Sequence, residues 1–308
     1  MPLLRSAFIA LSRNRRLRRF SEQSRLGARL SSRFVAGMEI DDALRVAEAI
    51  NRQGITVSLD SLGESVTSVT EAHQAAEIYH RLLDEMEARK LNANISVKLT
   101  QMGLELSADL AESLAESLTA HAKAAGSFVR IDMEDSSLTQ VTLDIVRRLN
   151  ARPALRGSVG VVMQAYLYRS EADIEQLLTD GIRVRLCKGA YNEPAEVAFP
   201  HKADVDANFV RLARMLLESP IYHGLATHDE RMIAEIKEFA SRHPIDRSRF
   251  EFQMLYGVRR DLQRELVRAG YNVRVYVPFG RAWYPYFMRR LAERPANVLF
   301  IAKNMLRR

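Results

Sequence analysis

Cysteine is nearly absent: Cys187 is the only one in 308 residues, so no intramolecular disulfide staples the chain and a disulfide scaffold is excluded. Glycine (14) and proline (9) are too few for collagen-like or low-complexity sequence. No run approaches 18 consecutive apolar residues, the length a membrane-crossing helix needs. Nothing near the start runs basic, then apolar, then small, as an export signal would. These absences point to a reducing compartment, and the expected location is the cytoplasm.

What is present is 47% hydrophobic and 27% charged, the composition of a globular chain long enough for one large domain of about 250 residues plus an appendage. The charge is uneven. Residues 1–33 hold nine arginines (Arg5, Arg13, Arg15, Arg16, Arg18, Arg19, Arg25, Arg29 and Arg33), no lysine and one acid, Glu22. That segment therefore carries +8 of a total of +7, and residues 34–308 are close to neutral at −1. Leu3, Leu4, Phe8, Ile9, Leu11 and Leu17 recur within it at roughly helical spacing. The pattern suits peripheral contact with an anionic membrane surface; a solvated or oligomer-forming arm and a mitochondrial presequence share it. Nucleic acid, which also attracts arginine, is the least favoured partner.

Beyond the arm, short β-branched or apolar runs alternate with amphipathic helical stretches. Strands are expected at 55–60, 94–99, 128–132, 158–164, 182–187, 222–227, 250–254 and 273–277. Helices are expected near 41–53, 68–90, 107–125, 137–150, 170–180, 203–218, 229–242, 258–269 and 281–305. Eight strand–helix units imply a parallel sheet closed into a (β/α)8 TIM-type barrel over 46–308, preceded by a basic helical arm over 1–45. An open doubly wound sheet is the competing architecture, disfavoured because no Gly-x-Gly-x-x-Gly turn follows a strand.

In such a barrel chemistry gathers at the carboxyl ends of the strands. Those ends carry Asp60 and Glu64, Lys98, Asp132 and Glu134, Gln164, Arg185 and Lys188, Thr227 and His228, Gln253, and Tyr276. Period-two alternation puts Ser96 with Lys98, and Arg183 with Arg185, on the inward face. One buried charge is ordinarily a structural ion pair; several cations and acids converging at one end suit an anionic ligand. On the last helix Tyr286, Arg289 and Arg290 share a face by spacing, and a guanidinium pair beside a phenol fits a carboxylate. No His, Cys, Asp and Glu cluster shows metal-ligand spacing, and Cys187, with no base assigned to it, reads as a packing residue.

The words SVKLTQMGL around Lys98, VRIDMEDS around Asp132, VRLCKGAY (Val184 to Tyr191), KADVDANF (Lys202 to Phe209), LATHD (Leu225 to Asp229), EFQMLYGV (Glu251 to Val258), VRVYVPFG (Val273 to Gly280) and YPYFMRRLAE (ending at Glu293) resemble the proline dehydrogenase flavoenzymes, in that family's order. The resemblance implies a barrel holding non-covalent FAD and oxidising L-proline to Δ1-pyrroline-5-carboxylate, the first step of proline catabolism, by hydride transfer from C5 to flavin N5. Electrons would pass to a quinone. Lys98, Arg289 and Arg290 would grip the substrate carboxylate, while Tyr276, Tyr286 and Leu255 wall its ring. Asp132 matches the family's active-site acid, and Arg185 would sit near flavin N5. Met133, Gln164, Arg185, Lys188, Gly189, Ala190, Thr227, His228 and Gln253 would hold the flavin and its diphosphate. Relatives that act on hydroxyproline carry a smaller residue where this chain has Tyr286, so Tyr286 favours proline. With no room for an aldehyde dehydrogenase half after the last helix, the chain is expected to be monofunctional. Three rivals fit parts of the pattern: a Schiff-base lyase using Lys98 or Lys188, a barrel resembling methylenetetrahydrofolate reductase, and a nucleic-acid- or membrane-binding module built on an inert barrel.

Overall fold

All eight β-branched runs become strands, because each is flanked by a helix whose apolar face covers it. The structure, a computed structural model, describes residues 32–63 and 65–293, the last five by backbone alone. The elements in chain order are α1 (Ile40–Asn51), β1 (Thr56–Ser61), α2 (Val69–Ala88), β2 (Ala93–Val97), α3 (Ala108–Ala124), β3 (Val129–Ile131), α4 (Thr139–Ala151), β4 (Val159–Gln164), α5 (Ser170–Thr179), β5 (Arg183–Cys187), α6 (Lys202–Glu218), β6 (His223–Ala226), α7 (Glu230–Arg242), β7 (Phe250–Leu255), α8 (Arg260–Arg268), β8 (Asn272–Phe279) and α9 (Trp283–Glu293). The expected boundaries agree within two residues wherever the chain is described; the basic arm through residue 31, Glu64 and the stretch after 293 lie outside it.

The strands pair in sequence order, all parallel, and β8 closes on β1 from Thr56↔Arg274 to Ser61↔Phe279. The sheet is therefore a closed barrel, which rules out the doubly wound alternative. Odd-numbered positions on the first three strands, such as Val57, Leu59, Ile95, Val97, Val129 and Ile131, face outward and are fully buried under the helices. Local signals start those helices: Ser68 and Ser107 accept from the backbone amides of Glu71 and Leu110, and Asp229 accepts from Arg231. Ahead of β1, α1 spans position 45 and buries Ala43, Leu44, Ala47 and Ile50 in the main core.

The even positions face inward and are largely polar. At the amino-terminal end they form a plug. Arg274 donates to Glu251 (2.7 Å), to the Val57 carbonyl (2.8 Å) and to Asn94 (3.0 Å). Arg130 crosses to the carbonyls of Arg183 (2.7 Å) and Val161 (3.2 Å). Gly160 leaves room for that crossing, since a Cβ there would lie 2.6 Å from Arg130 Nη1. Below them the Phe128 ring receives the guanidinium groups of Arg183, Arg130 and Arg274 at 4.5, 5.3 and 5.5 Å. At the other end, Phe34 and Val35 pack with Leu62 against Trp283, Tyr284, Tyr286, Phe287 and Met288, seating α9 against the strand ends.

Candidate active site

Above the plug the same inward positions converge on Asp132, one residue beyond β3. Its Oδ1 accepts from Ser96 Oγ (2.6 Å) and Arg185 Nη1 (2.9 Å), and its Oδ2 accepts from Tyr276 Oη (2.9 Å). Lys98 Nζ stands 3.9 Å from the same Oδ2 and donates to Asp60 at 3.1 Å. Neighbouring and opposite strands thus contribute one charge-assisted network, and period-two geometry delivers most of it: Asp60, Ser96, Lys98, Asp132 and Tyr276 are even-numbered, in phase with the plug residues of their own strands below.

Arg185 is fixed on every side. It donates to Asp132, to Ser96 Oγ (3.0 Å), to Ser58 Oγ (2.9 Å) and through Nε to Gln253 (2.5 Å), and its guanidinium lies 5.3 Å from the Tyr276 ring centre. Such a side chain cannot swing, so its positive charge is preorganised. Burial pulls the Lys98 amine down, but the carboxylates of Asp60 and Asp132 outweigh it and hold the amine well above its ordinary value. Lys98 is therefore an ammonium at neutral pH. Burial, with Asp132 and Asp60 next, drives the Tyr276 phenol far up, so it stays a hydrogen-bond donor. Behind Asp60, Tyr79 of α2 places its hydroxyl 3.3 Å from Asp60 Oδ1 and 3.2 Å from Gln101 Oε1.

These groups form the inner wall of a cavity of about 940 Å³ at the carboxyl ends of the strands. Lys98, Asp132, Met133, Gln164, Arg185, Lys188, Gly189, Ala190, Thr227, His228, Gln253, Leu255, Tyr276 and Tyr286 all line it. These residues lie on successive strands or strand ends and one helix, so only the closed barrel brings them together. Arg289 and Arg290 follow Tyr286 by three and four residues in α9; their side chains lie outside the described residues.

The outer part of the cavity is differently built. Lys188 is paired with Asp206 (2.7 Å) and Asp229 (3.5 Å). His228 Nε2 accepts from the Leu255 amide at 2.9 Å, which leaves the hydrogen on Nδ1. Gln164 donates to the Glu134 carbonyl at 2.7 Å. Gly189 has φ +108°, a conformation side chains rarely adopt, and a Cβ there would collide with the Tyr166 ring. Lys188, Gly189 and Ala190 line the cavity, with the Tyr166 ring packed against Gly189.

Sequence reasoning misses part of this lining. Asp60 is expected at a strand end with no role attached, although its phase with Ser58 marks it as inward. Arg231 and Arg259 also reach the cavity; they sit in a helix start and a loop, where no periodicity announces them. Arg259 adopts the left-handed backbone (φ +49°) and pairs with Glu230 and Asp261.

A closed parallel barrel with a fixed cation–carboxylate network in a large carboxyl-end cavity has the layout of a barrel enzyme. Comparison with known proteins narrows this class: residues 43–303 match the family model for proline dehydrogenase, and the chain belongs to that family. It is 43% identical over 308 residues to proline dehydrogenase 1 of Bacillus subtilis (strain 168), covering 99% of this chain and 100% of the relative. It is 44% identical over 283 residues to a proline dehydrogenase of Deinococcus radiodurans, covering 90% of each. Among solved structures, proline utilization A (PutA) from Bdellovibrio bacteriovorus inactivated by N-propargylglycine superposes with a TM-score of 0.82 at 27% identity, over 91% of this chain and 34% of that one. The chain thus spans about a third of that solved protein and the full length of the Bacillus relative. It is an oxidoreductase of proline catabolism.

Proposed function

We propose that the cavity holds FAD and L-proline together, and that the chain oxidises L-proline to Δ1-pyrroline-5-carboxylate by hydride transfer from C5 to flavin N5, with a quinone as the electron acceptor. The observation that carries this reading is one cavity lined both by the Lys98, Asp132, Arg185 and Tyr276 network and by Lys188, Gly189, His228 and Arg231. The volume lies at the upper end of the roughly 300–1,000 Å³ of ligand sites, which suits a dinucleotide with a small amino acid.

The residues present fit the cofactor. The backbone at Gly189 with the Lys188 ammonium suits a diphosphate, and Met133, Gln164, Ala190, Thr227, His228 and Gln253 border the space its ring system needs. Bound there, the flavin supplies a two-electron acceptor. Arg185, held by Asp132, Ser96, Ser58 and Gln253, would offer a bound flavin a preorganised positive charge. Lys98, permanently charged, takes one side of the substrate carboxylate; Arg289 and Arg290 supply a guanidinium fork for the other. Tyr276, Tyr286 and Leu255 close on the ring, so binding energy at the carboxylate is spent on orienting C5. Asp132 holds Ser96, Arg185 and Tyr276 in register around that position.

Anaerobic addition of L-proline to the flavin-loaded protein tests the reading directly: the oxidised flavin absorbance bleaches on mixing. Protein that stays colourless after FAD addition, or a bound flavin that proline leaves oxidised, overturns it. Among the described residues no helix is long and apolar enough to cross a membrane. The +8 charge of residues 1–33 is compatible with side-on contact with anionic lipid, and the location we propose is the cytoplasm. Co-sedimentation with anionic vesicles that salt abolishes is the expected outcome.

A further inference from the structure

Away from the cavity, α2 and α3 bring two imidazoles together. His80 and His121 are 41 residues apart in the chain, and their Nδ1 atoms stand 2.8 Å from one another. The ring centres are 5.1 Å apart and the planes differ by 21°. The nitrogen–nitrogen separation and the two ring radii account for nearly all of that distance. The rings therefore meet edge to edge through Nδ1, not face to face. Each far nitrogen is also held: His80 Nε2 lies 3.2 Å from Ser117 Oγ, and His121 Nε2 lies 3.1 Å from Asp84 Oδ1.

Proton bookkeeping follows from these partners. With both rings neutral, His121 donates Nε2–H to Asp84, which leaves a lone pair on its Nδ1. His80 donates Nδ1–H to that lone pair, and its Nε2 accepts from the Ser117 hydroxyl. A single hydrogen thus occupies the space between two nitrogens whose outer partners already fix the ring orientations, and His121, donating its far N–H to Asp84, has the outer-shell arrangement typical of metal-bound histidine.

We propose that His80 and His121 form a binding site for a late first-row divalent ion, Zn²⁺, Ni²⁺ or Cu²⁺, ligated by both Nδ1 atoms and clasping α2 to α3. On binding, His80 shifts to its Nε2–H tautomer and donates to Ser117 Oγ, whose own hydrogen turns away. No proton is released from the neutral pair, and both lone pairs converge on the ion. Zinc–nitrogen bonds of about 2.0–2.1 Å in a tetrahedron need the two nitrogens about 3.3 Å apart, an opening of roughly half an ångström that side-chain rotation supplies. Among the described residues no three His, Cys, Asp and Glu side chains converge as a metal cage, so water completes the shell. The His121 side chain is 25% exposed, which gives the ion a way in. Glu77 and Asp84, each about a turn from His80 on α2, both act on it with negative charge. The residue before it, Tyr79, hydrogen-bonds Asp60, so the clasp stiffens the helix that backs the partner of Lys98.

The test uses the full-length, flavin-loaded, chelator-treated protein and Zn²⁺ as the probe, read as the shift of the thermal midpoint near pH 7.5. A saturable rise is expected. His80→Gln and His121→Gln each weaken the apparent zinc affinity at least tenfold, whereas Asp84→Asn weakens it about tenfold through the outer partner. A midpoint indifferent to Zn²⁺, or glutamine variants that bind it as tightly as the parent, overturns the proposal. If a variant fails to fold, the electron paramagnetic resonance spectrum of the parent with one equivalent of Cu²⁺ decides: coupling to two imidazole nitrogens is expected, and its absence overturns the site.

Discussion

Replacing Asp132 by asparagine removes one negative charge while keeping shape and one acceptor, so it isolates the electrostatic role of this carboxylate. In the parent the group accepts from Ser96, Arg185 and Tyr276 and lies 3.9 Å from Lys98. An amide oxygen placed at Oδ1 retains Ser96 and Arg185, and an amide nitrogen at Oδ2 forces the Tyr276 hydroxyl to become an acceptor. What is lost is charge assistance on two bonds, about 1 kcal/mol each, together with the attraction to Lys98. The expected cost of about 2–3 kcal/mol falls below the roughly 3–5 kcal/mol of breaking a buried pair outright, because Asp60 still neutralises Lys98 and Arg185, though it loses its carboxylate, keeps its bonds to the amide oxygen, Ser96, Ser58 and Gln253. At about 2 °C per kcal/mol for a chain of this size, the thermal midpoint falls by about 4–6 °C. Proline oxidation with a soluble dye acceptor slows by about tenfold or more, since the negative charge that balances Arg185 and Lys98 at the site is gone while Arg185 stays in place. Calorimetry and steady-state kinetics on the same preparation read both quantities. An Asp132→Asn variant with unchanged midpoint and unchanged turnover would refute the placing of Asp132 at the centre of the network.

Four further outcomes are expected. Arg289→Ala or Arg290→Ala removes part of the carboxylate grip and raises KM for proline by the equivalent of about 3 kcal/mol; unaltered kinetics in both variants would remove the clamp. Tyr286→Ser opens the ring pocket, so selectivity moves toward hydroxyproline while proline turnover drops, and an unchanged ratio of the two kcat/KM values counts against the pocket assignment. Gly189→Ala must fit a Cβ against the Tyr166 ring at φ +108°; it should lose FAD on gel filtration, and a retained, stoichiometric flavin contradicts the cradle. Finally, burial and then the charges of Arg130 and Arg183 depress the His223 ring to about 3 from 6.5. Between those two values the unfolded chain binds a proton that the folded chain refuses. The stability contributed by neutral His223 is thus complete above pH 6.5 and falls on acidification by up to about 1.4 kcal/mol per pH unit. A denaturant series from neutral to acid pH should show that slope, and His223→Leu should flatten it.

The barrel is legible in the sequence because its outer strand faces demand β-branched or apolar residues, so runs such as ITVSLD and SVGVVMQ stand out between amphipathic stretches. The same alternation exposes the inward phase, and the pairing of Arg183 with Arg185 on one face comes from it directly. Their fates, however, differ with depth: Arg183 joins the floor around Phe128 and Arg185 joins the site. That distinction depends on strand register and barrel tilt, which no local pattern encodes. Asp60 escapes assignment because its partner, Lys98, lies on another strand, and Tyr79 escapes because it enters from a helix. The His80 and His121 pair is invisible for the same reason: 41 residues separate two ordinary helical positions, and only the packing of α2 on α3 makes them neighbours.

Arg130, Arg274 and Glu251 fill the barrel's amino-terminal end almost without exposure, so among the described residues the chamber is stoppered at its floor and opens toward the carboxyl ends of the strands. A small ligand therefore reaches the deep end from the rim where the strands finish, on the far side of the molecule from that stopper.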